Sequence, residues 1–138
     1  MTDDTERSVT IHRTEAGKYV ATNARGIQLA FNGDDGFSPV ELLLTALAGC
    51  TAADVDSVTS RRAEPEEFRV EARGDKIRDE PGNRMENLEV IFRVRFPAGD
   101  AGDAAREMLP AMVAKSHDRW CTVSRTIELG TPIKTRIE

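Results

Sequence analysis

The sequence predicts an α+β fold in which antiparallel sheet wraps one long central helix, and three observations lead to it. Positions 8 to 31 alternate apolar and polar residues between turn signals. A nearly unbroken apolar run from Val40 to Ala53 follows the pair Ser38-Pro39. Two further runs, around 68–72 and 88–96, keep a strict period of two. Strands gathered around helices in this order define an α+β domain, here a single one over residues 1–138.

The first region reads as a three-stranded meander. Val9 and Ile11 alternate, Ala16-Gly17 turns, Tyr19 and Ala21 continue, Asn23 to Gly26 turns, and Ile27, Leu29 and Phe31 alternate again. The stretch NGDDGFSP, 32–39, is a loop by composition. A helix then begins with Ser38 as cap, Pro39 in the first helical position and Glu41 where a capping box places a carboxylate. It is expected to run to about Arg62. Its first half is apolar on every side, which predicts burial, and Asp54, Asp56, Arg61 and Arg62 bring its second half into water.

Phe68, Val70 and Ala72, then Leu88, Val90, Phe92, Val94 and Phe96, alternate with charged residues. They predict an antiparallel pair with one wet face, joined through DEPGNR, 79–84. A second helix is expected from about 103 to Asp118, with Met108, Leu109, Met112 and Val113 as its apolar stripe and Pro110 as a kink. Cys121 opens a short segment that could start a helical turn. Ile127, Ile133, Thr135 and Ile137 are expected to close the chain as a strand. One sheet covers only one side of the helix at 40–53, so its other side calls for the second helix, the same helix of a second subunit, or both.

Composition excludes several classes of function. A net charge of −5 and a pI near 5.1, with scattered basic residues, argue against nucleic acid and anionic membrane as partners. The start of the chain, MTDDTERSVT, shows no secretory pattern, and the apolar run of about 14 residues falls short of a bilayer span. A cytoplasmic location follows as the expectation. Cys50 and Cys121 stand 71 positions apart, which excludes CxxC redox and zinc-ribbon spacing. In a reducing compartment two such cysteines are more often free, catalytic or redox-active than a permanent staple.

Cys50 lies in SPVELLLTALAGCTAADV, 38–55, and the residues leave it open between small core filler and a nucleophile kept dry. Asp54, four residues on, shares its helix face and opposes a thiolate unless itself paired. Glu41 lies on the opposite face, and capping accounts for it. Cys121 sits in DRWCTVSRT, 118–126, where a helix N-terminus would favour a thiolate. Arg25, in a glycine-flanked turn, is either solvated or the cation that Cys50 lacks. His12 is expected to face solvent. His117 with two separated cysteines makes no metal-ligand spacing, so neither a metal nor a cofactor is expected.

The segment S-P-x-E-L-L-L-x-A-L-A-G-C-T-A-x-D-V, followed about seventy residues later by W-C-T-V-S-R-T and a terminal strand, resembles the OsmC/Ohr superfamily, in particular its OsmC-like branch with G-C-x-A-x-D-V. The resemblance implies an OsmC-like fold forming an intertwined homodimer whose two long helices pack together under two sheets. It also implies a cofactor-free, thiol-dependent peroxidase serving oxidative-stress defence, with an organic hydroperoxide as substrate and a dithiol as reductant. Cys50 would attack the peroxide and become a sulfenic acid, Cys121 would close a disulfide, and Arg25 would activate the thiolate. Family peroxidases place an arginine-orienting glutamate directly after the proline. Here Val40 stands there, so that carboxylate is either absent or supplied by Asp34, Asp35 or Asp54. The alternative function is a noncatalytic dimer that binds a small apolar ligand or acts as a redox sensor.

Overall fold

A computed structural model of the chain describes residues 5–138. The chain falls into two compact units, Met1–Leu43 and Leu44–Glu138. In the first, strands β1 (Val9–Glu15), β2 (Lys18–Asn23) and β3 (Gln28–Asn32) form the expected antiparallel meander in the order β1-β2-β3. Gly17 and Gly26 take the left-handed conformations that their turns require, with φ of 76° and 80°. Tyr19 pairs with Phe31 across β2 and β3, and their rings stack at 5.7 Å. Val9, Ile11 and Leu29 remain about half or more exposed, so this small sheet leaves apolar side chains uncovered.

Helix α1 (Pro39–Thr59) starts where the capping box predicted. The Ser38 amide donates to Glu41 Oε1 at 2.8 Å, and the Glu41 amide donates to Ser38 Oγ at 3.1 Å. These bonds hold the Glu41 carboxyl below its ordinary pKa, the backbone bond from Ser38 being the larger cause. The helix stops three residues before the expected Arg62. Its end tightens into three-residue bonds, Arg61 N–H to the Val58 carbonyl and Arg62 N–H to that of Thr59, and Pro65 follows. By length and composition this 21-residue helix could cross a bilayer, which the shorter apolar run had not suggested. Leu47, Thr51, Val55 and Thr59, four residues apart, form a buried stripe.

Within one chain that burial reaches only one side of the helix. Leu43, Ala46, Gly49 and Ala53 are exposed on the face away from that stripe, Leu43 at 39%. A Cβ placed on Gly49 would meet nothing within 4 Å. Sequence periodicity records only that a face is apolar, not whether its cover comes from the same chain.

Strands β4 (Glu67–Arg78) and β5 (Asn83–Arg95) form the predicted antiparallel pair. Phe68 opposes Val94, Val70 opposes Phe92, and Ala72 opposes Val90. The charged faces interlock through Arg73–Glu89 at 2.8 Å and Arg93–Glu71 at 3.2 Å. Helix α2 (Asp100–Lys115) begins earlier than expected, directly after Gly99, and runs through Pro110. It ends at Lys115, where a π-helical turn (Ser116–Trp120) takes over.

The chain's end departs most from expectation. Cys121 caps a third helix, α3 (Thr122–Leu129), which includes Ile127, and Gly130 terminates it in a left-handed conformation with φ of 63°. Residues 131–138 form no strand, and Ile133 and Ile137 are almost wholly exposed. Alternation marks strand capacity, but a strand needs an edge to pair with. Among the described residues the pairings are confined to β1-β2-β3 and β4-β5. The antiparallel α+β class stands; the last element of the predicted order does not.

Candidate functional site

The second unit brings Cys50 and Cys121 together from opposite ends of its sequence. Cys50 rides on α1, one residue before buried Thr51. Cys121 arrives at the junction between the π-helical turn and α3. The join between α1 and that turn is polar: Thr51 Oγ1 and Ser116 Oγ lie 2.7 Å apart, and Ser116 Oγ donates to Asp54 Oδ2 at 2.9 Å. The Cys50 sulfur, the Cys121 sulfur and an Asp54 carboxylate oxygen all lie within 4.8 Å of one another. Both cysteines are free thiols.

The two sulfurs differ in exposure. Cys121 is fully buried, whereas Cys50 is partly accessible. The Cys121 sulfur accepts hydrogen bonds from Ser124 N at 3.4 Å and from Ser124 Oγ at 3.1 Å, the second being a side-chain contact within the first turn of α3. Burial pushes the Cys50 thiol above its ordinary pKa. The Val123 backbone amide pulls it down, and hydrogen bonding and charge at Cys121, then the charge of Asp54, push it up again. Asp54 thus takes the opposing position foreseen for it, although Ser116 partners its carboxylate.

Ser124, whose hydroxyl reaches the Cys121 sulfur, also lines a cavity of about 390 Å³. Leu47, Leu88, Val90, Phe92 and Val113 supply most of its apolar wall, with Thr51 and Ser124 on the side of the cysteines. His117 and Glu128 stand at its polar edge. The imidazole is held between two carboxylates, Nδ1 to Asp118 at 2.8 Å and Nε2 to Glu128 at 2.6 Å. Both ring nitrogens are occupied, so His117 is not poised as a metal ligand. Its pKa is raised, first by Asp118 and then by Glu128.

Arg25 belongs to the first unit, exposed in the β2–β3 turn. Asn23 Oδ1 shapes that turn by accepting from the backbone amides of Arg25, at 2.9 Å, and Ile27, at 3.0 Å. Arg125 donates to the Asp118 carbonyl at 3.1 Å. The sequence reading missed Ser116 and Ser124. Ser124 was within reach of it, because a cap at Cys121 places the residue three later against the capping side chain. Ser116 carries no linear signal: it meets Asp54 across 62 positions.

The OsmC-like protein family profile matches residues 32–136. The chain belongs to the OsmC-like family. An uncharacterised protein of Mycobacterium tuberculosis is 25% identical over 130 residues, covering 92% of this chain and 93% of that protein. The fold is similar to an OsmC-like protein of unknown function from Vibrio cholerae, with a TM-score of 0.73 at 15% identity over 90% of this chain and 94% of that one. It is also similar to an organic hydroperoxide resistance protein OsmC from Legionella pneumophila, with a TM-score of 0.58 at 16% identity over 91% of each chain. The family matches on both sides of the boundary at Leu43, which α1 itself crosses.

Proposed function

We propose that this OsmC-like chain is a cytoplasmic, cofactor-free thiol peroxidase that reduces organic hydroperoxides, acting as one domain over residues 1–138 within a homodimer. The observation that carries the reading is the convergence of two free sulfurs, 71 positions apart in sequence, to within 4.8 Å, with Ser124 reaching the Cys121 sulfur and lining an apolar cavity. The hydroperoxide resistance named for the Legionella pneumophila protein is consistent with it.

In the proposed cycle the Cys50 thiolate attacks the outer peroxide oxygen. The O–O bond breaks, the alkoxide leaves and takes a proton, and Cys50 becomes a sulfenic acid. Cys121 displaces hydroxide from that sulfur, which leaves as water, and a disulfide forms. An external dithiol reopens it and is itself oxidised. Partly accessible Cys50 suits the attacking role, and buried Cys121 suits the second step. An apolar cavity favours organic hydroperoxides over hydrogen peroxide. Arg25 is assigned the cation's role that the family resemblance implies.

The exposed face of α1 supports the homodimer. Leu43, Ala46, Gly49 and Ala53 give a second copy of the helix a close apolar approach.

A second reading, a noncatalytic binding protein or slow redox sensor, is favoured by the raised Cys50 pKa and by Val40 in place of the family carboxylate. One experiment separates the two. The reduced protein is mixed with one equivalent of an organic hydroperoxide and its free thiols are counted. Prompt loss of both thiols, abolished in Cys50→Ser, supports the peroxidase; unchanged thiols select the binding protein. Arg25→Ala should keep the fold and slow the reaction at least about tenfold, about 1.4 kcal/mol of barrier. An unchanged rate removes Arg25 from the site.

A further inference from the structure

We propose that Cys50, Asp54 and Cys121 form a binding site for a divalent transition-metal ion of the zinc class. The geometry is the first argument. One carboxylate oxygen and two sulfurs lie mutually within 4.8 Å. A tetrahedral ion with metal–sulfur bonds of about 2.3 Å sets its sulfurs about 3.8 Å apart, so closing the site takes a contraction of about 1 Å at most. Cys50 and Asp54, four positions apart, project from one face of α1, and the residue that closes the triangle caps α3.

The surroundings of the three ligands are the second argument. Metal sites hold their ligands through hydrogen bonds from a surrounding shell. Here fully buried Ser116 donates to Asp54, and Ser124 donates to the Cys121 sulfur through both its amide and its hydroxyl. Each of these bonds leaves acceptor capacity on the ligand atom. Accessible Cys50 provides the path of entry.

Electrostatics is the third. Without a cation, two sulfurs and a carboxylate oxygen within 4.8 Å of one another gather groups whose negative forms oppose one another. A divalent cation turns each of those repulsions into an attraction, favouring both thiolates and the carboxylate. Two thiolates with one carboxylate suit a borderline-soft ion and disfavour magnesium or calcium. Three protein ligands leave a fourth position open for water or a small ligand. Binding releases two protons, one from each thiol. Because a Cys50–Cys121 disulfide removes both sulfur donors, metal occupancy and the disulfide exclude each other. The site does not depend on peroxidase activity.

The test is an anaerobic titration of the reduced full-length chain with cobalt(II). The expected result is a near-ultraviolet sulfur-to-cobalt charge-transfer band with the visible bands of a tetrahedral site. They should saturate at one ion per chain, with two protons released, and disappear when zinc is added. Cys50→Ser and Cys121→Ser should each lose about half of the charge-transfer intensity. Asp54→Asn, which can still accept from Ser116, should weaken binding at least about tenfold. Asp56→Asn, exposed on the same helix, should bind as the parent does, and circular dichroism checks that each variant is folded. Absence of the bands overturns the proposal, as does undiminished charge-transfer intensity in either cysteine variant or unchanged affinity in Asp54→Asn. A chain that consumes hydroperoxide without binding cobalt sinks the metal site alone; one that binds cobalt but ignores hydroperoxide sinks the peroxidase reading alone.

Discussion

At the residue scale, burial is the largest cause that raises the Cys50 thiol, and Ser116 holds the nearby Asp54 carboxylate. Asp54 stands four residues beyond Cys50 and is one of the groups that hold its thiol up. Alkylation of Cys50 by iodoacetamide should therefore accelerate with pH into the alkaline range. In Asp54→Asn the midpoint should move to lower pH, with faster reaction at neutrality; an unshifted profile would show that the carboxylate does not act on the sulfur. Ser116 is fully buried between Thr51 and Asp54. Ser116→Ala strips both of that partner, which should cost about 1–3 kcal/mol in urea denaturation. His117 gives a pH dependence of opposite character. Because its folded pKa is raised, its contribution is complete below the unfolded value near 6.5 and is lost as pH rises through the folded value. The ring and both carboxylates are more than half exposed, so at most about 1 kcal/mol is involved. A His117→Gln variant should have a flatter stability profile across that range.

At the element scale, the boundaries follow the capping chemistry. Ser38→Ala removes the acceptor for the Glu41 amide at the start of α1 and should cost about 1 kcal/mol, read from the urea midpoint. The start of α2 is held by shape. A Cβ on Gly102 would collide with the Pro97 carbonyl, which is backbone and cannot swing aside. Gly102→Ala should lower the melting temperature more than any surface substitution on α2, such as Glu107→Gln. The capping box, the period of β4 and β5, and the left-handed turns were all legible, because each is fixed by neighbours within a few residues. The fate of 131–138 was not. Ile133, Thr135 and Ile137 alternate as a strand does, but pairing depends on an edge elsewhere, and α3 consumed Ile127 before it could join.

At the scale of the whole molecule, the apolar residues exceed what one chain covers. Leu43, Ala46, Gly49 and Ala53 lie open along α1, and Ile133 and Ile137 lie open beyond α3. If paired helices cover the first of these faces, Ala46→Arg places a charge in the contact. The sedimentation velocity of that variant should then report a monomer where the parent reports a dimer. An unaltered dimer would remove this face from the interface.

The sequence by itself determined the local facts: where α1 starts, which strand faces are wet, and that Cys50 and Asp54 share a helix face. Each follows from periodicity or capping, which act over a single turn or strand pair. Only the tertiary structure decided that Cys121 is the buried sulfur, that Ser116 reaches Asp54, and that three ligand-bearing side chains meet. Those contacts join residues more than sixty positions apart, and no repeat or spacing encodes a meeting that depends on how α1, α2 and α3 pack.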